Sequence, residues 1–253
     1  MKTWKKALCF ALCLLPVGVI GGWLTAEMTV SSVDPTLLES AAQQLGSPEA
    51  VKALTAASGA FYTVFCAFFG YLLSEKIGLM RPFRFEKAVV IRVFLIAALG
   101  GAVFSLDAWT FARWIPELKE TYEAAGSFEM TVWIASVLYG GITEEVMIRL
   151  FLMSGLALIG WKLFFRKEEQ LPLKVLIAAN ILSALAFAAG HLPATELMIG
   201  ELTPLLLIRC FLLNGAAGLL FGRFYRKYGI HYAMLAHMLF HLVSRTIWLI
   251  ALP

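Results

Sequence analysis

The chain has 253 residues, of which 60% are hydrophobic and only 15% are charged, and its mean hydropathy is +0.79. A soluble domain is nearer half apolar and a quarter charged, so one soluble core of this size could not hide the excess. The composition therefore excludes a soluble enzyme, a disordered chain and a coiled coil, and it predicts that lipid is the main solvent. The formal net charge of +4 is too small to indicate nucleic-acid binding.

Seven apolar stretches are long enough to cross a bilayer, since a spanning helix needs about 20 mostly apolar residues. They are 7–26, 51–73, 88–111, 128–165, 172–190, 203–222 and 231–251. The fourth is too long for one ordinary span and contains Gly140-Gly141, which predicts a break between two helices. We therefore expect an all-α fold, a polytopic transmembrane helical bundle of seven or eight helical segments with an intramembrane cavity.

The first apolar stretch follows Lys2, Lys5 and Lys6, as in a secretory signal peptide. The stretch is long, however, and Leu24-Thr25-Ala26 is a poor cleavage site, so we expect an uncleaved first span. None of the four cysteines forms a C-x-x-C pair, so neither a zinc ribbon nor a thioredoxin-type site is supported.

Lysine and arginine are distributed unevenly between the connections. Fourteen fall on one side of the predicted topology, three on the other and four inside spans. The excess places the N-terminus in the cytoplasm. It also requires 128–165 to make one net crossing, so we expect one half of this stretch to be steeply tilted, re-entrant or interfacial.

The densest group of charges inside a predicted span consists of Glu144, Glu145 and Arg149. Glu145 and Arg149, at positions i and i+4, share a helix face, whereas Glu144 points about 100° away. We expect Arg149 to neutralise Glu145 and to leave Glu144 as an unpaired carboxylate that can act as a general base. The alternative is a structural ion pair that holds two helices together.

Three histidines also lie in apolar segments. His191 follows Phe187 by one turn, and His237 and His241 share a face of the last span. In one interpretation Glu144, oriented with His191, activates water while His237 and His241 stabilise the oxyanion. In another, the three histidines and a carboxylate bind zinc, although the H-E-x-x-H signature is absent. On straight helices His191 would lie about 25 Å and His237 about 9 Å from the cytoplasmic edge, so tilt or a break must bring them together.

The three motifs, in this order, resemble the CPBP (Abi) intramembrane proteases, relatives of the eukaryotic CAAX prenyl endopeptidase of the glutamic type. In this chain the motifs are Glu144-Glu145…Arg149, Phe187…His191 and His237…His241, within roughly residues 128–250. The resemblance implies a cavity open to the cytoplasm, Glu144 as catalytic base, His191 as its assistant, and the last motif at the oxyanion. The family's Asn or Asp in that motif is His241 here, which keeps a hydrogen-bond donor but adds a possible metal ligand.

These features predict a single membrane domain over 1–253, with motif-free spans in 1–127 and a catalytic core in 128–253. The expected activity is hydrolysis of a peptide bond in a membrane-bound or lipid-anchored substrate of CAAX-like or leader-peptide type. We expect no cofactor, with zinc as the alternative, and the expected partners are the bilayer and a membrane-associated peptide or protein. The remaining alternatives are a non-catalytic immunity or scaffold protein of the same fold and a transporter, since buried Glu, His and Arg also build proton relays.

Other charged residues inside the predicted spans are Arg92, Asp107, Arg209 and Arg245. We expect Asp107 to pair with a neighbour or to lie near a helix end, and Arg209 to snorkel or to bind lipid phosphates.

Overall fold

The computed structural model describes residues 2–32, 35–125 and 128–252. All regular structure in these ranges is helical. The helices are α1 (Thr3–Ser32), α2 (Pro35–Leu45), α3 (Pro48–Lys76), α4 (Lys87–Ser105), α5 (Pro116–Ala125), α6 (Met130–Phe164), α7 (Leu173–Gly190), α8 (Leu192–Ile199), α9 (Pro204–Tyr228) and α10 (Ile230–Ala251). Two short 3-10 turns, Leu106–Trp109 and Phe111–Arg113, follow α4.

Seven helices of the described chain are long and apolar enough to cross a membrane, judged by length and composition. They are α1, α3, α4 with the turns after it, α6, α7 continued by α8, α9 and α10. Large apolar side chains such as Leu99, Phe61 and Leu163 are exposed on their outer faces, as expected of surfaces that contact lipid. The predicted all-α, multi-pass membrane architecture is confirmed.

The predicted break at Gly140-Gly141 is wrong. Helix α6 continues through both glycines, with wide π-helical turns over Ser136–Glu144 and Val146–Met153. The glycines permit close approach of α10 instead, because a Cβ on Gly141 would collide with the side chain of Met238. The stretch therefore forms one long helix rather than a crossing piece and a re-entrant piece. Since α6 is longer than a roughly 30 Å hydrocarbon core requires, it tilts or extends into the interfaces.

Helix α6 is held from two sides. Helix α1 packs along α3, and both contact α6, where the hydroxyls of Thr63 and Thr143 lie 3.1 Å apart. Helix α10 packs against α4 and against the first π-helical stretch of α6. One hydrophobic cluster includes residues from α1 to α10, among them Ala11, Leu150 and Phe240. The backbone that carries Glu144 is therefore fixed between the two halves of the bundle.

A buried polar cluster joins α9 to the segment after α4. The guanidinium Nε of Arg209 donates to Oδ2 of Asp107 at 2.7 Å, and the hydroxyl of Tyr122 on α5 donates to the same oxygen. Burial, followed by the negative charge of Asp107, raises the pKa of the Tyr122 phenol, so the phenol remains a donor. The prediction that Asp107 has a charged neighbour is confirmed, whereas Arg209 pairs inside the protein instead of snorkelling.

Candidate active site

The first motif meets the third in the interior of the bundle. Nδ1 of His237 on α10 lies 2.9 Å from Oε1 of Glu145 on α6. The other carboxylate oxygen of Glu145 lies 3.5 Å from Nε of Arg149, one turn further along α6. The side chains of Glu145 and Arg149 are fully buried. Glu145 therefore lies between the guanidinium of Arg149 and the imidazole of His237. The sequence spacing predicts the first of these two contacts.

The second motif contacts both others through Phe187 on α7. Its ring centroid is 4.6 Å from that of His191 and 5.9 Å from that of His237. The guanidinium of Arg149 lies over the same ring, 5.1 Å from its centroid, and its terminal nitrogens have no hydrogen-bond partner in the described part of the chain. Phe187 thus provides a cation–π contact for a buried charge and fixes the distance between the two histidines.

The two imidazoles of α10 are stacked and face α6. The rings of His237 and His241 are 4.8 Å apart, and Phe221 on α9 stacks on the opposite face of His237 at 4.2 Å. Both Nε2 atoms are directed toward Gly140. A Cβ added at Gly140 would lie 2.8 Å from Nε2 of His241 and 3.9 Å from Nε2 of His237. The missing side chain at Gly140 therefore leaves space beside two ring nitrogens.

His191 lies at the end of α7, where its Nδ1 is 2.8 Å from the carbonyl oxygen of Phe187. An Nδ1–H that donates to this carbonyl leaves Nε2 as the free acceptor. His191 and Arg245 both lie within electrostatic range of His241. His191 therefore lies close to the histidines of α10, although straight helices would place His191 and His237 at different depths in the membrane.

Glu144 differs from Glu145 in having no specific partner. It is half-buried, and the described part of the chain supplies neither a hydrogen bond nor an ion pair to its carboxylate. Arg149 and Tyr139 both lie near enough to interact electrostatically with this carboxylate. The division between a paired Glu145 and an unpaired Glu144 follows from their different directions on α6.

A metal site is the alternative arrangement for His191, His237 and His241. Among the residues that the structure describes, no three His, Cys, Asp or Glu side chains are grouped as ligands of one metal ion. Nδ1 of His237 and Nδ1 of His191 are directed to Glu145 and to a backbone carbonyl, so only their Nε2 atoms could serve as ligands.

Sequence reasoning missed three contributors to this arrangement. Phe221 packs on His237, Tyr139 lies near Glu144, and Gly140 provides the space beside the imidazoles. Phe221 lies in an apolar span with nothing to distinguish it from a lipid-facing residue. Tyr139 and Gly140 lie within five residues of Glu144, and this short distance in the sequence could have indicated that they contribute to the site.

Comparison with known proteins bears on the same region. Residues 126–243 match a family model described as type II CAAX prenyl endopeptidase Rce1-like. No curated protein and no solved structure matches the chain. The matched segment includes all three motifs, from Glu144 to His241.

The fold and the buried ionisable residues thus define a multi-pass membrane protein with a polar centre inside its helices. Its segment 126–243 matches the model of the Rce1-like family, which confirms the resemblance based on the three motifs.

Proposed function

We propose that this protein is an intramembrane endopeptidase that hydrolyses a peptide bond in a membrane-bound or lipid-anchored substrate with water activated by Glu144. The family match supports hydrolysis of a peptide bond, because the matched family model is described as type II CAAX prenyl endopeptidase. The helical bundle supports a membrane-associated substrate, because the motif residues lie on spans. A CAAX-like or leader peptide is the substrate class that we infer.

In the proposed reaction the carboxylate of Glu144 takes a proton from water, and the resulting hydroxide attacks the scissile carbonyl carbon. His191 accepts a hydrogen bond from the same water at Nε2, because its Nδ1 is directed to the carbonyl of Phe187. When the tetrahedral intermediate collapses, the C–N bond breaks and protonated Glu144 returns its proton to the leaving amine. Glu144 ends the cycle as a carboxylate, so no external acid, base or oxidant is consumed.

The proposed oxyanion donors are the Nε2–H groups of His237 and His241. With Nδ1–H of His237 directed to Glu145, its Nε2 donates in this proposal as part of the imidazolium form of the ring. Neutral His241 donates from Nε2 when its Nδ1 is unprotonated. Both nitrogens face the space beside Gly140, where the substrate carbonyl oxygen is placed in this proposal.

The observation that carries the proposal is the bond of 2.9 Å between Glu145 and His237. This contact joins the first and third motifs at the carboxylate of Glu145, which also pairs with Arg149. The adjacent Glu144 is then the carboxylate that can accept a proton from water. A scaffold or immunity protein of the same fold has no need of an unpaired carboxylate in this position. In a transporter, loss of oxyanion donors would be tolerated, whereas loss of either glutamate would reduce flux.

The experiment is a comparison of membrane-fraction peptides from cells that carry wild-type protein, Glu144→Gln or Glu169→Gln. The control changes one of two adjacent glutamates in the exposed connection between α6 and α7. We expect a cleavage product that is present with wild type and Glu169→Gln and absent with Glu144→Gln. Identical peptide profiles in all three strains, with equal amounts of inserted protein, would contradict the proposal.

A further inference from the structure

A pocket separate from the motif residues opens where α4 ends and α9 begins. Its volume is about 750 Å³, within the roughly 300–1,000 Å³ range of small-molecule sites. It is lined by Trp109, Thr110, Phe111, Arg113, Trp114 and Leu205. None of these residues belongs to the three motifs, so the proposed protease function leaves the pocket without a role.

The pocket lies at the ends of two spans. The span that begins at Lys87 ends at Arg113, and the span of α9 begins at Pro204. A span of 27 residues is longer than the roughly 20 residues needed to cross the hydrocarbon core, so its last turns reach the headgroup region. Tryptophan is enriched at this depth, and both Trp109 and Trp114 are exposed.

The buried cluster around Asp107 fixes the pocket walls. Asp107 precedes Trp109 by two residues, and Arg209 follows Leu205 by one turn of α9. The ion pair between Asp107 and Arg209, with the Tyr122 hydroxyl on the same carboxylate oxygen, ties the turn after α4 to α9. The side chain of Asp107 is fully buried in this pair. The concavity is therefore part of the folded structure and does not depend on a bound molecule.

The lining combines aromatic surface with one unpaired cation. Within residues 2–32, 35–125 and 128–252, no carboxylate forms an ion pair with the exposed guanidinium of Arg113. A guanidinium binds phosphate oxygens through two parallel hydrogen bonds. Phe111, Trp109 and Leu205 offer an apolar surface on which the start of an acyl chain can lie. An unpaired arginine at headgroup depth beside apolar walls is the chemistry that a phospholipid requires.

We propose that this pocket binds one phospholipid of the leaflet at this end of the bundle, with its phosphate on Arg113 and its glycerol and upper acyl chain against Trp109 and Phe111. The lipid lies in a shallow, open concavity, unlike the lipids that surround the whole bundle. The proposal does not depend on the protease assignment, because it uses none of the motif residues.

The test is native mass spectrometry of the full-length protein in detergent, with added dioleoylphosphatidylglycerol or dioleoylglycerol. These probes share their acyl chains, and only the first carries a phosphate. Wild-type protein should retain the phospholipid about tenfold more than dioleoylglycerol, the effect of one charge-assisted bidentate contact. Arg113→Gln should remove this preference, and Trp109→Ala should reduce retention of both probes.

Arg166→Gln is the matched control, since Arg166 is an exposed arginine in the connection at the other end of α6. It should retain phospholipid as wild type does. Equal losses with Arg113→Gln and Arg166→Gln, or no loss with Arg113→Gln, would overturn the proposal. Retention of inorganic phosphate without any preference for the phospholipid over dioleoylglycerol would also overturn it, because the site would then bind free anions. A photoreactive phosphatidylglycerol should label the peptide that contains residues 109–114, and labelling confined to other peptides would contradict the assignment.

Discussion

Glu145 and His237 are 92 residues apart in the sequence, yet Oε1 of the first lies 2.9 Å from Nδ1 of the second inside the bundle. This contact gives the two adjacent glutamates of α6 different environments. Glu145 is fully buried between His237 and Arg149, whereas Glu144 is half-buried and has no such partner in the described residues. In our account Glu145 positions His237, and Glu144 is the base that reacts.

The buried pair predicts a stability effect that is specific to Arg149. Replacing Arg149 by Ala leaves the carboxylate of Glu145 without its guanidinium in a site that excludes water. Removing one partner of a buried ion pair costs about 3–5 kcal/mol. Arg149→Ala should therefore lower the melting temperature in detergent, as measured by loss of intrinsic fluorescence or by differential scanning calorimetry. Arg166→Ala, an exposed change, should melt as wild type does. An unchanged melting temperature for Arg149→Ala together with lost activity would move Arg149 from a structural to a catalytic role.

A second prediction concerns the space beside the imidazoles. A methyl group at Gly140 would lie 2.8 Å from Nε2 of His241, so the ring must move. Displacement of a catalytic group by about 1 Å can cost about 100-fold in rate, and we expect a loss of this size for Gly140→Ala. Gly215→Ala is the control, because a Cβ there meets no atom within 4 Å. Equal turnover in the two variants, measured at equal protein in vesicles, would show that the space beside His241 is not used.

Sidedness of the bundle is a third prediction. The 14-to-3 distribution of basic residues predicts that the N-terminus and the 162–174 connection lie in the cytoplasm, and seven spans are compatible with this orientation. In a cysteine-free background, an impermeant thiol reagent added to intact cells should label Gln43→Cys and Glu117→Cys but not Arg166→Cys. Labelling of Arg166→Cys without permeabilisation would reverse the orientation of α6 and of every later span.

The fourth prediction separates the metal-free reaction from zinc chemistry. If His241 donates a hydrogen bond to the oxyanion, His241→Asn should keep most of the activity, because the amide also offers N–H donors. Strong chelators should then leave turnover unchanged. If His241 is one of three zinc ligands, His241→Asn should lose metal and activity together. Stoichiometric zinc by elemental analysis, with activity removed by chelation and restored by zinc, would contradict the metal-free account.

The spans were predictable because hydropathy depends on composition over about 20 residues and needs no knowledge of neighbours. The proximity of Glu145 to Arg149 was also predictable, since positions i and i+4 share a face of any regular helix. Both properties are local. They persist in the structure even though α6 is π-helical around these residues.

The contacts of His237 were not predictable in the same way. Its bond to Glu145 and its stacking on Phe221 depend on how α6, α9 and α10 pack, and apolar periodicity does not encode this in a membrane helix. The Gly140-Gly141 pair was misinterpreted for a related reason. Adjacent glycines permit either a break or a close helix contact, and only the position of Met238 on α10 decides between them.

The most direct measurement of the central claim is the turnover of Glu144→Gln with a substrate identified by the peptide comparison. The amide keeps the size of the side chain but cannot accept a proton, so the rate of cleavage should fall by at least about 100-fold. Its melting temperature in detergent should equal that of wild type, because the described residues give Glu144 no ion pair to lose. Cleavage at a near-normal rate by correctly inserted Glu144→Gln protein would show that another group activates the water.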